Sequence, residues 1–176
     1  TEFVEAYNLT DIEILVIEHN PFMQRLLTGI LREFQFRKIQ MATDSEEAIH
    51  YFQHNTVDMI FSNWGPNSDE AIVLKKIRDI KESVNPYVPI IIFSTFSEEK
   101  YVKLARDLGM NEYLALPISP GSIYRHICNI IENPRAFVES EHFLGPDRRR
   151  SKFEYNGEER RKDEPDPEEG NEALSK

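Results

Sequence analysis

Val57-Asp58-Met59-Ile60-Phe61-Ser62-Asn63-Trp64-Gly65-Pro66, VDMIFSNWGP, is an apolar run that stops at polar residues and then turns. It is too short for a helix, and the Gly-Pro pair that follows breaks regular structure, so Met59–Ser62 is predicted as a strand buried in a sheet. In open α/β sheets ligands bind beyond the carboxyl ends of the strands, and the residue offered there is Asn63. An amide in that position is either an active-site group or what remains of one.

The surrounding chain repeats the pattern. Glu13–Ile17, EILVI, is a β-branched run of the kind buried on both faces of a sheet. Asn20-Pro21 then supplies a cap and a first-turn proline for a helix whose apolar side is Phe22, Leu26, Leu27, Ile30, Leu31 and Phe34. Lys38–Ala42 is the second strand. Asp44, with Glu47 three residues on as in a capping box, opens the second helix through Ala48, Ile49 and Phe52. A third helix is predicted over Glu70–Lys81 and a fourth strand over Pro89–Ser94. The fourth helix is capped by Ser97 and closed by Gly109 at the C′ position. Tyr113–Leu116 and Ser119–Ile131 complete the series. Five strands alternating with five helices require a parallel, doubly wound sheet covered on both faces.

Composition limits the functions such a domain can carry. The chain has 176 residues, 40% apolar, with a formal charge of −10 and one cysteine, Cys128. No apolar window approaches a membrane-spanning length. The acidic start, TEFVEAYNLTDIE, lacks the order of an export signal. A reducing cytoplasm is therefore the expected location, which suits a single cysteine. Excess negative charge also opposes general nucleic-acid binding, which relies on positive charge.

Three regions are expected: an N-terminal extension over 1–11, the α/β domain over 12–132, and a charged, mostly flexible tail over 133–176 that docks, if at all, through Phe137, Val138, Phe143 and Leu144. The tail holds an internal echo. Residues 145–150, GPDRRR, recur twelve positions later as residues 157–162, GEERRK. The arginines Arg148, Arg149, Arg150, Arg160 and Arg161 are thus candidates for a repeated short interaction motif.

The runs ILVIEH, DMIFSN, PIIIFST and LGMNEYLALP, in this order and spacing, resemble the receiver domain of bacterial two-component response regulators. The resemblance covers about Ile12 to Ile131 and implies a five-stranded, flavodoxin-like sheet in the order 2-1-3-4-5. A competent receiver moves a phosphoryl group from a histidine kinase to its own aspartate. That transfer uses a carboxylate after strand three, an acidic pair after strand one that helps hold Mg²⁺, a hydroxyl after strand four and a lysine after strand five. Here those positions carry Asn63, Glu18-His19, Ser94 and Leu116.

An amide is no nucleophile toward phosphorus. Leu116 has no charge to offer a phosphoryl group, and one carboxylate beside an imidazole is a poor Mg²⁺ site. The resemblance therefore implies a degenerate pocket with no catalytic residue, metal or cofactor. Tyr113 falls at the family's switch aromatic, and with no phosphoryl input one locked rotamer is expected. Trp64 has two readings, an exposed partner anchor or a cover for the core edge.

What such a domain retains is surface. In this family the face of helix four, strand five and helix five serves dimers and partners, and here it would present Tyr101, Lys103, Arg106 and Tyr124. The expected function is a phosphorylation-independent pseudo-receiver that adapts or regulates a signalling protein, such as a histidine kinase or another response regulator, with homodimerisation through the same face. Two other readings use the tail arginines, which would hold a cyclic dinucleotide through its phosphates or bind nucleic acid. The acidic residues after Arg161 oppose the second.

Overall fold

The computed structural model describes residues 7–147. β1 (Glu13–Ile17), β2 (Lys38–Ala42), β3 (Met59–Asn63), β4 (Ile90–Ser94) and β5 (Glu112–Ala115) form a parallel sheet in the order β2-β1-β3-β4-β5. α1 (Pro21–Glu33), α2 (Ser45–His54), α3 (Glu70–Arg78), α4 (Glu99–Asp107) and α5 (Pro120–Glu132) connect successive strands. The doubly wound topology predicted from the alternating pattern is the one observed.

Strand side chains alternate between faces, and the two cores follow that alternation. Leu15, Ile17, Ile60 and Ile92 pack with Phe52, Leu74, Ile77 and Ala105 from α2, α3 and α4. Ile14, Val16, Phe61, Ile91 and Phe93 pack with Leu27, Leu31, Ile123 and Ile127 from α1 and α5. Burial on both faces explains why these strands are unbroken apolar runs. Each fully buried large side chain contributes roughly 1.5–3 kcal/mol from area alone.

Helix starts follow local chemistry with two departures. Asn20 Oδ1 accepts from the Phe22 N–H at 2.9 Å, and Asp44 Oδ1 from the Glu47 N–H at 2.8 Å. The Glu47 carboxylate reaches back to the Thr43 N–H, one residue earlier than a capping box requires. Ser119 and Ser122 cap each other at the start of α5. α4, however, starts after Glu98 with no side-chain cap, so Ser97 does not fill the predicted role. α3 stops at Arg78, short of Lys81, because Asp79 turns extended and its carboxylate accepts from the Lys81 N–H.

The largest difference lies after α5. In place of a tail starting at 133, β6 (Phe137–Ser140) and β7 (Phe143–Pro146) form an antiparallel hairpin. Leu144, Gly145 and Pro146 are buried, whereas Val138 is exposed. The hairpin packs on Arg78, a residue only 6% exposed whose guanidinium carbon lies 5.0 Å from the Phe137 ring centroid. Arg78 Nε donates to the Gly109 carbonyl at 2.9 Å, and Nη1 to the carbonyls of Pro86 and Val88, both at 2.7 Å. Nη2 donates to Asn111 Oδ1 at 3.0 Å.

Burial lowers the Arg78 pKa to about 9, so the group stays charged at neutral pH. Gly109 has φ +86°, and a Cβ there would sit 2.4 Å from the Leu144 carbonyl oxygen. Two stretches of backbone therefore meet where no side chain fits. The glycine of the first arginine motif, Gly145, is part of this contact. The arginines Arg148, Arg149, Arg150, Arg160 and Arg161 lie outside the described residues.

Candidate functional site at the carboxyl edge of the sheet

Parallel pairing brings the ends of β1, β3, β4 and β5 to one edge. Ile17 pairs with Ser62, Asn63 with Phe93, and Ser94 with Ala115. Glu18 and Leu116 extend that edge, since the Glu18 N–H donates to the Ala42 carbonyl and the Leu116 N–H to that of Ser94. The candidate residues Glu18, Asn63, Ser94 and Leu116 thus stand along one edge of the sheet.

Glu18 is 1% exposed. Its Oε1 accepts from the Asn20 N–H at 2.7 Å and from Asn63 Nδ2 at 3.4 Å. The amide of Asn63 therefore points its donor at the carboxylate, a contact an aspartate in the same place would make repulsive. His19 faces outward with its side chain 70% exposed and Nδ1 3.5 Å from Glu18 Oε1. Ser62 points elsewhere, with its hydroxyl donating to the Asn63 carbonyl.

Ser94 links two loops. Its hydroxyl donates to the Trp64 carbonyl at 2.6 Å and accepts from the Phe96 N–H at 3.1 Å. Tyr113 adds a third tie, its hydroxyl donating to the Phe96 carbonyl. The Phe96 ring packs edge-on to Tyr101 at 4.9 Å and lies so close to Gly65 that a Cβ there would stand 3.3 Å from it. The loop after β3 and the loop after β4 are bonded to each other through these groups. Leu116 is half-buried against the core shared by α1 and α5, and brings no charge to that edge.

The surface candidates divide. Trp64 is 3% exposed and belongs to the core, so the partner-anchor reading is corrected in favour of the core-edge one. Its indole N–H has no hydrogen-bond partner among the described residues. Lys103 is exposed and pairs with Glu99 at 2.7 Å, Arg106 is exposed, and Tyr101 is half-buried under Lys100. Tyr124 packs on Phe34, 5.2 Å between ring centroids, on the α1 side of α5. That corrects its expected place on the face shared with α4. On the β5 side of α5 stand His126 and Asn129, which bond the Glu112 carboxylate at 2.8 and 2.6 Å.

Sequence reasoning missed this Glu112 cluster and also Arg78. For Arg78 a signal exists, because Val73, Leu74, Ile77 and Arg78 form one helical stripe and the arginine takes a core position.

Comparison with known proteins agrees with the fold. The family described as the response regulator receiver domain matches residues 14–128. The osmosensing histidine protein kinase SLN1 of Saccharomyces cerevisiae is 28% identical over 117 residues, which are 63% of this chain and 9% of that protein. The chain thus spans less than a tenth of that relative. The receiver domain of the sensor histidine kinase PA1611 from Pseudomonas aeruginosa PAO1 is 26% identical with a TM-score of 0.61, covering 69% of this chain and 98% of that one. A response regulator structure from Chloroflexus aurantiacus, 21% identical with a TM-score of 0.62, covers 70% of this chain and 100% of its own.

The Pseudomonas domain was solved with magnesium coordinated in its active-site cleft. The equivalent edge here fits that ion poorly. Mg²⁺ calls for hard oxygen ligands in octahedral array. Glu18 supplies one carboxylate, already bonded to an amide and a backbone N–H. Among the described residues no three His, Cys, Asp or Glu side chains gather into a metal-holding group. Nor is any helix among them long and apolar enough to cross a membrane.

Proposed function

The chain belongs to the response regulator receiver family of two-component signalling, and from that premise we propose that it is a phosphorylation-independent member, an adaptor working by protein contact and not an enzyme. The observation that carries this reading is the double use of the Ser94 hydroxyl. Its proton goes to the Trp64 carbonyl and its lone pair to the Phe96 N–H, so the group that would meet a phosphoryl oxygen already joins the two loops. Asn63 cannot form an acyl phosphate, and Leu116 cannot neutralise one. A signal that these residues cannot accept has been replaced by hydrogen bonds internal to the protein.

The partner surface in this reading is the face of α4, β5 and α5. Tyr101, Lys103 and Arg106 lie on α4, and Leu104 is 48% exposed among them. A partially apolar patch within mixed charge suits salt-sensitive association with a histidine kinase or another response regulator. The same features suit a second copy of the chain.

Two experiments test the proposal. Acetyl phosphate or beryllofluoride with Mg²⁺ is expected to leave the amide spectrum unchanged at Asn63, Ser94 and Phe96. A Mg²⁺-dependent shift centred on Asn63 would overturn phosphorylation independence. Capture from the source cell is expected to retain a signalling protein on the full chain and on a chain ending at Asp147. Retention by neither removes the adaptor role. The shorter chain stops at Asp147 because ending at Glu132 would delete the hairpin that covers Arg78.

A further inference from the structure

Helix α2 ends in His50 and His54, one turn apart on the same face. Their rings lie 4.5 Å apart between centroids with a tilt of 37°, and both residues are exposed. The last carbonyls of a helix have no partner within it. Here Asn55 Nδ2 donates to the Tyr51 carbonyl at 2.9 Å and the His54 ring serves that of His50 at 2.7 Å through Nδ1.

A carbonyl oxygen only accepts, so His54 Nδ1 carries the proton and the neutral ring keeps its free lone pair on Nε2. Backbone carbonyls orient metal-binding imidazoles in this way. Capping the helix accounts for Nδ1 and leaves Nε2 unused.

We propose that His50 and His54 form a two-imidazole site for a borderline divalent cation, Zn²⁺, Ni²⁺ or Cu²⁺, with solvent completing the coordination. Histidines four residues apart on a helix can reach one ion, as in zinc-binding helices. Imidazole selects these metals over the hard cations Mg²⁺ and Ca²⁺. His50 borders the groove between α2 and α3, where Asp44, Glu46, Glu47 and Asp69 outweigh the one cation, Lys76, and leave a net negative charge that concentrates cations. The Glu18-His19 pair makes no comparable site, because it offers a single imidazole and the Glu18 carboxylate already accepts from the Asn20 N–H and the Asn63 amide. With only two protein ligands the site leaves coordination positions open.

The test is calorimetric titration of the full chain with NiCl₂ and with ZnCl₂ in chelator-free buffer, with MgCl₂ as the control. One transition-metal ion per chain is expected, with no equivalent event for MgCl₂. His50→Gln and His54→Gln are each expected to weaken binding about tenfold or more, since either leaves a single imidazole without the gain in effective concentration from the second. Both positions are exposed, and unchanged circular dichroism of the variants checks that the helix persists. In the parent, histidine ring resonances should move at His50 and His54 and stay fixed at His19, His126 and His142. No heat, a single variant binding within twofold of the parent, or ring shifts at His19 instead would overturn the assignment.

Discussion

Arg78→Ala lowers the stability of the folded protein by about 3–4 kcal/mol, because it strips hydrogen bonds from buried and part-buried acceptors. The carbonyls of Gly109, Pro86 and Val88 and the Asn111 side chain all lose a charged donor in one substitution. Asn111 Oδ1 keeps only the Ile90 N–H, and the Phe137 ring loses the cation it covers. The melting temperature falls on the order of 10 °C for a domain of this size. Arg78→Lys recovers less than half of the loss, since an ammonium cannot span acceptors placed for a planar fork. A drop below about 1 kcal/mol for Arg78→Ala would mean that water satisfies these carbonyls and that the arginine is not the tie described.

Gly109→Ala is the second large effect, about 3 kcal/mol, from left-handed backbone strain and from the hairpin being pushed off. The new Cβ would stand 2.4 Å from the Leu144 carbonyl oxygen and 3.1 Å from Arg78 Cγ, at φ +86°. Neither neighbour is the free end of a flexible chain. Hydrogen exchange is expected to accelerate across residues 137–146 before the sheet is affected. Gly121→Ala is the control, since nothing stands within 4 Å of a Cβ there. Equal melting of the two variants would show that the contact between Gly109 and β7 carries no stability.

Much of the sheet was legible because both-face burial writes itself as unbroken apolar runs, and Asn20, Asp44 and Gly109 mark helix ends by chemistry local to each position. The hairpin was not. β6 reads Phe-Val-Glu-Ser, mostly exposed, and the hairpin packs on a guanidinium and a glycine from distant elements. Composition alone made it part of a polar tail.

At the site, strand register fixed where Glu18, Asn63, Ser94 and Leu116 would lie, and the family resemblance named the chemistry they lack. The bonds that join the loops run to backbone atoms of Trp64 and Phe96. Backbone donors and acceptors are the same at every residue, so no side-chain pattern announces them. Tyr124 was misplaced for a related reason, because a helix position gives a direction but not the neighbour found in that direction.

Trp64 is the only tryptophan in the chain, and it is buried beside the Ser94 bridge. Its indole is buried and its N–H has no acceptor among the described residues, so it is expected to be shielded from solvent relaxation and to emit toward short wavelengths. The protein thereby contains an optical gauge at the junction of the two loops. A partner that draws the loop after β4 away from the Trp64 carbonyl admits water to the indole and moves emission to the red. A partner that binds elsewhere leaves the colour unchanged, so one spectrum separates contact at the loops from contact at a distance.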